Sequence, residues 1–108
     1  MTPPRKRPLQ RVADLLPSLA AELGLQEELQ AARAMSSWRR VVEELVPAAA
    51  GATRLIEIRP PALFVSADDA ATGQELRLHS APLLDAFAGA PGGQRLLELK
   101  VVVRAPRR

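Results

Sequence analysis

The chain of 108 residues has no cysteine and no tyrosine, and its only aromatic residues are Trp38, Phe64 and Phe87. Without cysteine there is no disulfide framework and no thiolate metal site, and a reducing compartment is compatible. One histidine, His79, stands with scattered carboxylates at no metal-ligand spacing. It falls on a helical pattern beside Leu76 and Leu83 and reads as partly buried rather than catalytic. Ser36, Ser37, Ser66 and Ser80 have no evident base and no nucleophile-elbow context. No Gly-Lys-Ser/Thr loop is present to cradle a phosphate, so nucleotide hydrolysis is not expected. Nor is there an apolar run long enough for a membrane span, or a secretory signal. The expectation is a cytoplasmic, non-enzymatic protein without cofactor, metal, membrane or small-molecule substrate.

Charge is present in quantity, and it is segregated. Arg5, Lys6, Arg7 and Arg11 stand without an acid in the first eleven residues, a net of +4. From Arg95 onward, Arg95, Lys100, Arg104, Arg107 and Arg108 oppose only Glu98, again a net of +4. Residues 12–94 between them carry a net of −5, which leaves the chain at +3. Concentrating like charge at both ends raises the potential there, and phosphate is the commonest polyanion to meet it. Thirteen of the fifteen basic residues are arginine, whose donor fork suits phosphate, although a GC-rich genome would also favour it. The alternative is that basic termini are simply solubilising tails.

An apolar fraction of 47% and the chain length fit one globular domain. Residues 1–8 read as a disordered basic arm, residues 9–104 as the domain and residues 105–108 as a short basic tail. Leu9, Val12, Ala13, Leu16, Leu19, Ala20 and Leu23 follow helical spacing, with a kink expected at Pro17 and a stop at Gly24. A second helical pattern runs from Leu25 to Val46 through Leu29, Ala32, Met35, Trp38, Val42 and Leu45. Ser36 or Ser37 could restart it, and Pro47 closes it. The period then changes to two. Ile56 and Ile58 share a face, and after Pro60-Pro61 the residues Leu63, Val65 and Ala67 alternate with Phe64 and Ser66, which reads as a hairpin. Asp68 or Asp69 caps the next helix, with Leu76, Leu83, Leu84 and Phe87 inward and a break expected near Pro82. A final strand places Leu97, Leu99, Val101 and Val103 on one face. The expected fold is α+β: two N-terminal helices, a hairpin, a helix and a last strand forming a three-stranded mixed sheet.

With these elements in order the chain resembles the DciA family of bacterial proteins that load or operate the replicative helicase. The residues that carry the resemblance are Trp38-Arg39-Arg40-Val41-Val42, Leu63-Phe64-Val65, Glu75-Leu76 and the alternating Leu97–Val103. Glu43 stands where the family commonly has glycine, and Thr72 or Gly73 stands near the place of its aromatic residue. The resemblance implies a KH-like domain, DNA binding and a replicative helicase as partner. On that reading the chain is an accessory protein of DNA replication that holds single-stranded or forked DNA. The alternatives are a protein-interaction module that binds no nucleic acid, and an RNA-binding KH-like protein.

The residues expected to meet phosphate are Arg5, Lys6, Arg7, Arg11, Arg39, Arg40, Lys100, Arg104, Arg107 and Arg108. Arg39 and Arg40 could instead pair with Glu43 and Glu44 one helical turn on. Trp38 is a candidate partner anchor, against the alternative that it fills the core. Gly89-Ala90-Pro91-Gly92 matches the G-x-x-G loop of KH domains, but it lies between a helix and a strand rather than between two helices, which favours a plain turn.

Overall fold

The computed structural model describes the backbone of residues 7–104 and the side chains of residues 19–104. Apart from Arg7 and Pro8, which open the first helix, the expected arm and tail lie outside the described residues. The chain divides into two units, residues 1–30 and residues 31–108. One helix, α1 (Arg7–Leu45), supplies the described part of the first unit and enters the second. Then follow a 3-10 turn (Pro47–Ala49), strands β1 (Thr53–Arg59) and β2 (Ala62–Ala67), helices α2 (Ala70–Leu78) and α3 (Ser80–Ala88), and strand β3 (Glu98–Val103). The sheet has the order β1-β2-β3, with β1 antiparallel and β3 parallel to the central strand. The α+β class and the mixed three-stranded sheet are as expected.

The two expected N-terminal helices are one. Gly24 does not end the first, because a glycine inside a helix costs only about 1 kcal/mol against alanine and Leu, Gln and Glu on either side are good helix formers. Ser37 does not restart the second. Its hydroxyl is buried and donates instead to the Pro91 carbonyl at 2.6 Å. The helix stops where Pro47 was expected to stop it: the residue before a proline avoids helical geometry, and Val46 has left it at φ −136°, ψ 67°.

One helix was expected after the hairpin, and two are found. The break falls at His79, three residues before Pro82. A proline in a first helical turn loses no intrahelical hydrogen bond, so Pro82 sits inside the start of α3 and the chain turns just ahead of it. Of the two candidate caps, Asp69 serves α2: its carboxylate accepts from the Thr72 backbone N–H at 2.8 Å.

The core of the second unit lies against one face of the sheet. Trp38, Val41 and Val42 reach it from α1, Val46 from the residue after it, Leu76 from α2, and Leu83, Leu84 and Phe87 from α3. They cover Leu63, Val65 and Ala67 of β2, whose exposure is zero. Trp38 is fully enclosed, donates its indole N–H to Thr53 Oγ1 at 3.1 Å and meets the Phe87 ring edge-on with centroids 6.5 Å apart. In β1 the expected pairing of Ile56 with Ile58 fails, because a bulge between Leu55 and Glu57 inserts one residue. Leu55 and Ile58 pack on the core, and Ile56 turns to solvent. At the start of β3, Leu96 takes the buried place assigned to Leu97, which is exposed.

Gly93 closes the loop before β3 by close approach. A Cβ there would lie 1.9 Å from the Phe87 carbonyl oxygen, whereas one on Gly89 would meet nothing within 4 Å. Gly93→Ala is therefore expected to cost on the order of 1–3 kcal/mol in chemical denaturation. Gly89→Ala should stay within about 0.5 kcal/mol of the parent.

The Thr72 hydrogen bonds hold the Asp69 carboxyl below its ordinary value. A lowered folded pKa means the cap stabilises at neutral pH and loses its effect as pH falls through the carboxylate range toward the folded value. Asp69→Ala should lower Tm at neutral pH, and the gap to the parent should close in acid. Asp69→Asn, which keeps a side-chain acceptor, should lower it less.

Candidate nucleic-acid interface

Of the ten residues expected to meet phosphate, Arg5, Lys6, Arg107 and Arg108 lie outside the described residues, and Arg7 and Arg11 are described only as backbone of α1. Arg39 and Arg40 are exposed on α1, and Lys100 and Arg104 are exposed on and just beyond β3. Trp38 is buried, reaching no further than the floor of a cleft beside Arg39. Its place between Thr53 and Phe87 is that of the core alternative, and it acts on the surface only by fixing the helical turn that carries Arg39 and Arg40 outward.

Ion pairing sorts these cations into two sets. Lys100 Nζ lies 3.2 Å from Glu98, and Arg104 lies 3.4 Å from Asp68. Arg95 is 3.4 Å from Asp85, and Arg59 is paired with Glu57. All four pairs are well exposed, and such pairs are worth about 0–1 kcal/mol, so each cation can exchange its carboxylate for a phosphate. Arg33, Arg39, Arg40, Arg54 and Arg77 have no carboxylate within 4 Å among the described residues, so the Glu43 and Glu44 pairs open to Arg39 and Arg40 are not formed.

Arg39 and Arg54 line one cleft of about 560 Å³ together with Met35, Trp38, Gly51, Thr53 and Leu55. Its shape has a local cause. The 3-10 turn after Pro47 and Gly51, at φ +81°, send the chain back along α1 into β1. That route sets the first residues of β1 beside the last turns of the helix, and Trp38 bridges them through Thr53. Two guanidinium groups stand on an apolar floor with no carboxylate within 4 Å of either among the described residues, an arrangement able to accept an anion carrying an apolar part. Sequence reasoning named Arg39 but missed Arg54, which belongs to neither terminal cluster. Only the fold brings it to α1.

The G-x-x-G match is a connector, as its position suggested. Gly89–Gly92 joins α3 to β3, and the Pro91 carbonyl is occupied by Ser37. Where two helices do meet, at His79, the chain carries no glycine loop. His79 itself is part-exposed, with Nδ1 2.9 Å from the Glu75 carbonyl. Among the described residues no group of three His, Cys, Asp or Glu is placed to hold a metal ion, and no helix is long and apolar enough to cross a membrane.

Compared with known families, the chain matches the family described as "Dna[CI] antecedent, DciA" over residues 11–101. No curated protein matches it. The matched span runs from the early part of α1 into β3 and includes Trp38, the hairpin and both later helices, so the chain belongs to the DciA family, a family related to helicase loading and not itself catalytic.

Proposed function

We propose that the chain is a DNA-binding accessory of replication that holds single-stranded or forked DNA through phosphate contacts and presents it to the replicative helicase. The observation that carries the DNA part is the convergence of Arg39 and Arg54 on one cleft with no carboxylate beside either among the described residues. Family membership supports the helicase part. The order helix, two strands, two helices, strand agrees with a KH-like domain. The glycine loop such domains use on a nucleic-acid backbone has no counterpart between the two adjacent helices. Phosphate binding is therefore assigned to arginine and lysine side chains: Arg39, Arg40 and Arg54 around α1, Lys100 and Arg104 at β3, and the terminal residues Arg5, Lys6, Arg7, Arg11, Arg107 and Arg108.

A protein surface is needed as well. Leu19, Leu23, Leu25 and Leu29 are each about half exposed or more on α1, and side chains four apart in a helix lie one above the other. We assign this stretch to the helicase. The two contacts together raise the local concentration of DNA at the helicase without any chemical step.

Two measurements test this. Affinity for single-stranded DNA should fall linearly with salt on a log–log plot, by about 0.7 in slope per phosphate neutralised. The Arg39→Gln, Arg54→Gln pair should flatten the slope by about two such contacts, and a salt-independent affinity would contradict phosphate binding. Separately, Leu19→Ser with Leu23→Ser should weaken the helicase complex in high salt while DNA affinity stays at the parental value. Unchanged helicase binding would remove the leucines from the account.

A further inference from the structure

We infer that the open face of the sheet is a stacking platform on which Phe64 receives an unpaired base of single-stranded nucleic acid. The inference rests on the DNA-binding reading above and gives that reading a second site, for bases rather than phosphates.

Strand residues alternate between faces. Leu63, Val65 and Ala67 of β2 are spent on the core, so Phe64 and Ser66 point the other way. The register sets Glu57 and Lys100 on either side of Phe64, and Arg54 and Val102 on either side of Ser66. The core helices of this unit all serve the first face. On the second, Ile56 and Val102 remain about half exposed, and Phe64 is only part-buried.

Phe64 sits on the central strand with cations around it. The Arg59 guanidinium lies 5.3 Å from the ring centroid, a planar cation over a π face. A base stacking on the ring would take that same place. Arg59 is well exposed and held otherwise only by Glu57, so displacing it breaks one surface ion pair and frees the guanidinium for a phosphate. Lys100, beside the ring, is tied only to Glu98. With Arg54 and Arg104 the face carries four cations against Glu57, Glu98 and Asp68.

That charge balance selects the occupant. An apolar protein partner would have to bury three exposed ion pairs and leave Arg54 without a counter-charge, whereas a single strand offers one phosphate per base to meet these cations. Aromatic stacking combined with flanking Arg and Lys is the general means of gripping unpaired bases, and every base has a π face to offer. A duplex keeps its bases stacked internally and cannot use the ring.

The test uses the full chain with oligothymidylate and a duplex of equal length. Phe64→Leu keeps an apolar strand residue and should weaken single-strand binding about tenfold, with duplex binding and salt slope unchanged. Phe64→Trp should retain single-strand affinity, and the fluorescence of the introduced indole should be quenched by oligothymidylate but not by the duplex; Trp38, being enclosed, supplies a constant background. Thermal melting of both variants checks the fold. Parental affinity in Phe64→Leu, together with an unquenched indole in DNA-bound Phe64→Trp, overturns the platform while leaving phosphate binding intact. Loss of helicase binding in Phe64→Leu with DNA binding unchanged gives the face to a protein and likewise overturns it. If the parent binds no DNA at any salt, both readings fall together.

Discussion

Complete burial of one face of β2 is the constraint on which the second unit depends. Leu63, Val65 and Ala67 have no exposed surface, and Trp38, Leu76, Leu83 and Phe87, equally enclosed, come from three different helices to cover them. A core this small has no redundancy, and cutting a large aromatic out of a core costs about 3–5 kcal/mol, which is much of what a domain of this size has in reserve. The remaining features hold the helices to that face. The indole N–H is satisfied by Thr53, Ser37 ties α1 to the loop before β3, and the Pro61 carbonyl receives the N–H groups of Leu97 and Glu98 where β3 begins.

Burial on one side leaves the other side free, and this is the link from packing to function. The strand that gives Leu63 and Val65 to the core must, by its pleat, give Phe64 and Ser66 to the opposite face. The helical turn that buries Trp38 must turn Arg39 and Arg40 outward. Neither the ring nor the guanidinium groups are placed by a special device. They stand where they do because their neighbours are needed inside. The cleft formed by Arg39 and Arg54 and the platform formed by Phe64 lie beside and upon the same sheet, with Arg54 at the start of β1 between them.

Much of this was legible in the residues. Period-two alternation named the buried side chains of β2, and helical spacing named Leu76, Leu83, Leu84 and Phe87. The helix between β2 and β3 pointed to a mixed sheet. What was not legible depends on pairing across the chain. A bulge shifts phase at Ile56, and a one-residue slip moves every later side chain to the other face. Nothing in Arg54-Leu55-Ile56-Glu57 announces it. Ser37 looked like a cap because its partner, the Pro91 carbonyl, is 54 residues away. Gly24 looked like a stop, yet its propensity cost is small beside the helix formers that flank it. The charge pattern was read as a matter of termini, while the described cations without an acid beside them lie in the net-acidic middle, at Arg33, Arg39, Arg40, Arg54 and Arg77. Charge counted along the chain does not say which acids are within reach.

The most direct measurement of the central claim, that one face of the sheet is spent on the core and the other is free for a ligand, is a backbone amide NMR titration of the intact chain with oligothymidylate. The account predicts shifts concentrated at Phe64, Ser66, Lys100 and Val102 on the open face and at Arg39, Arg40 and Arg54 around the cleft, with Leu76, Leu83 and Phe87 unmoved. Shifts confined to α2 and α3, with β2 and β3 silent, would contradict it.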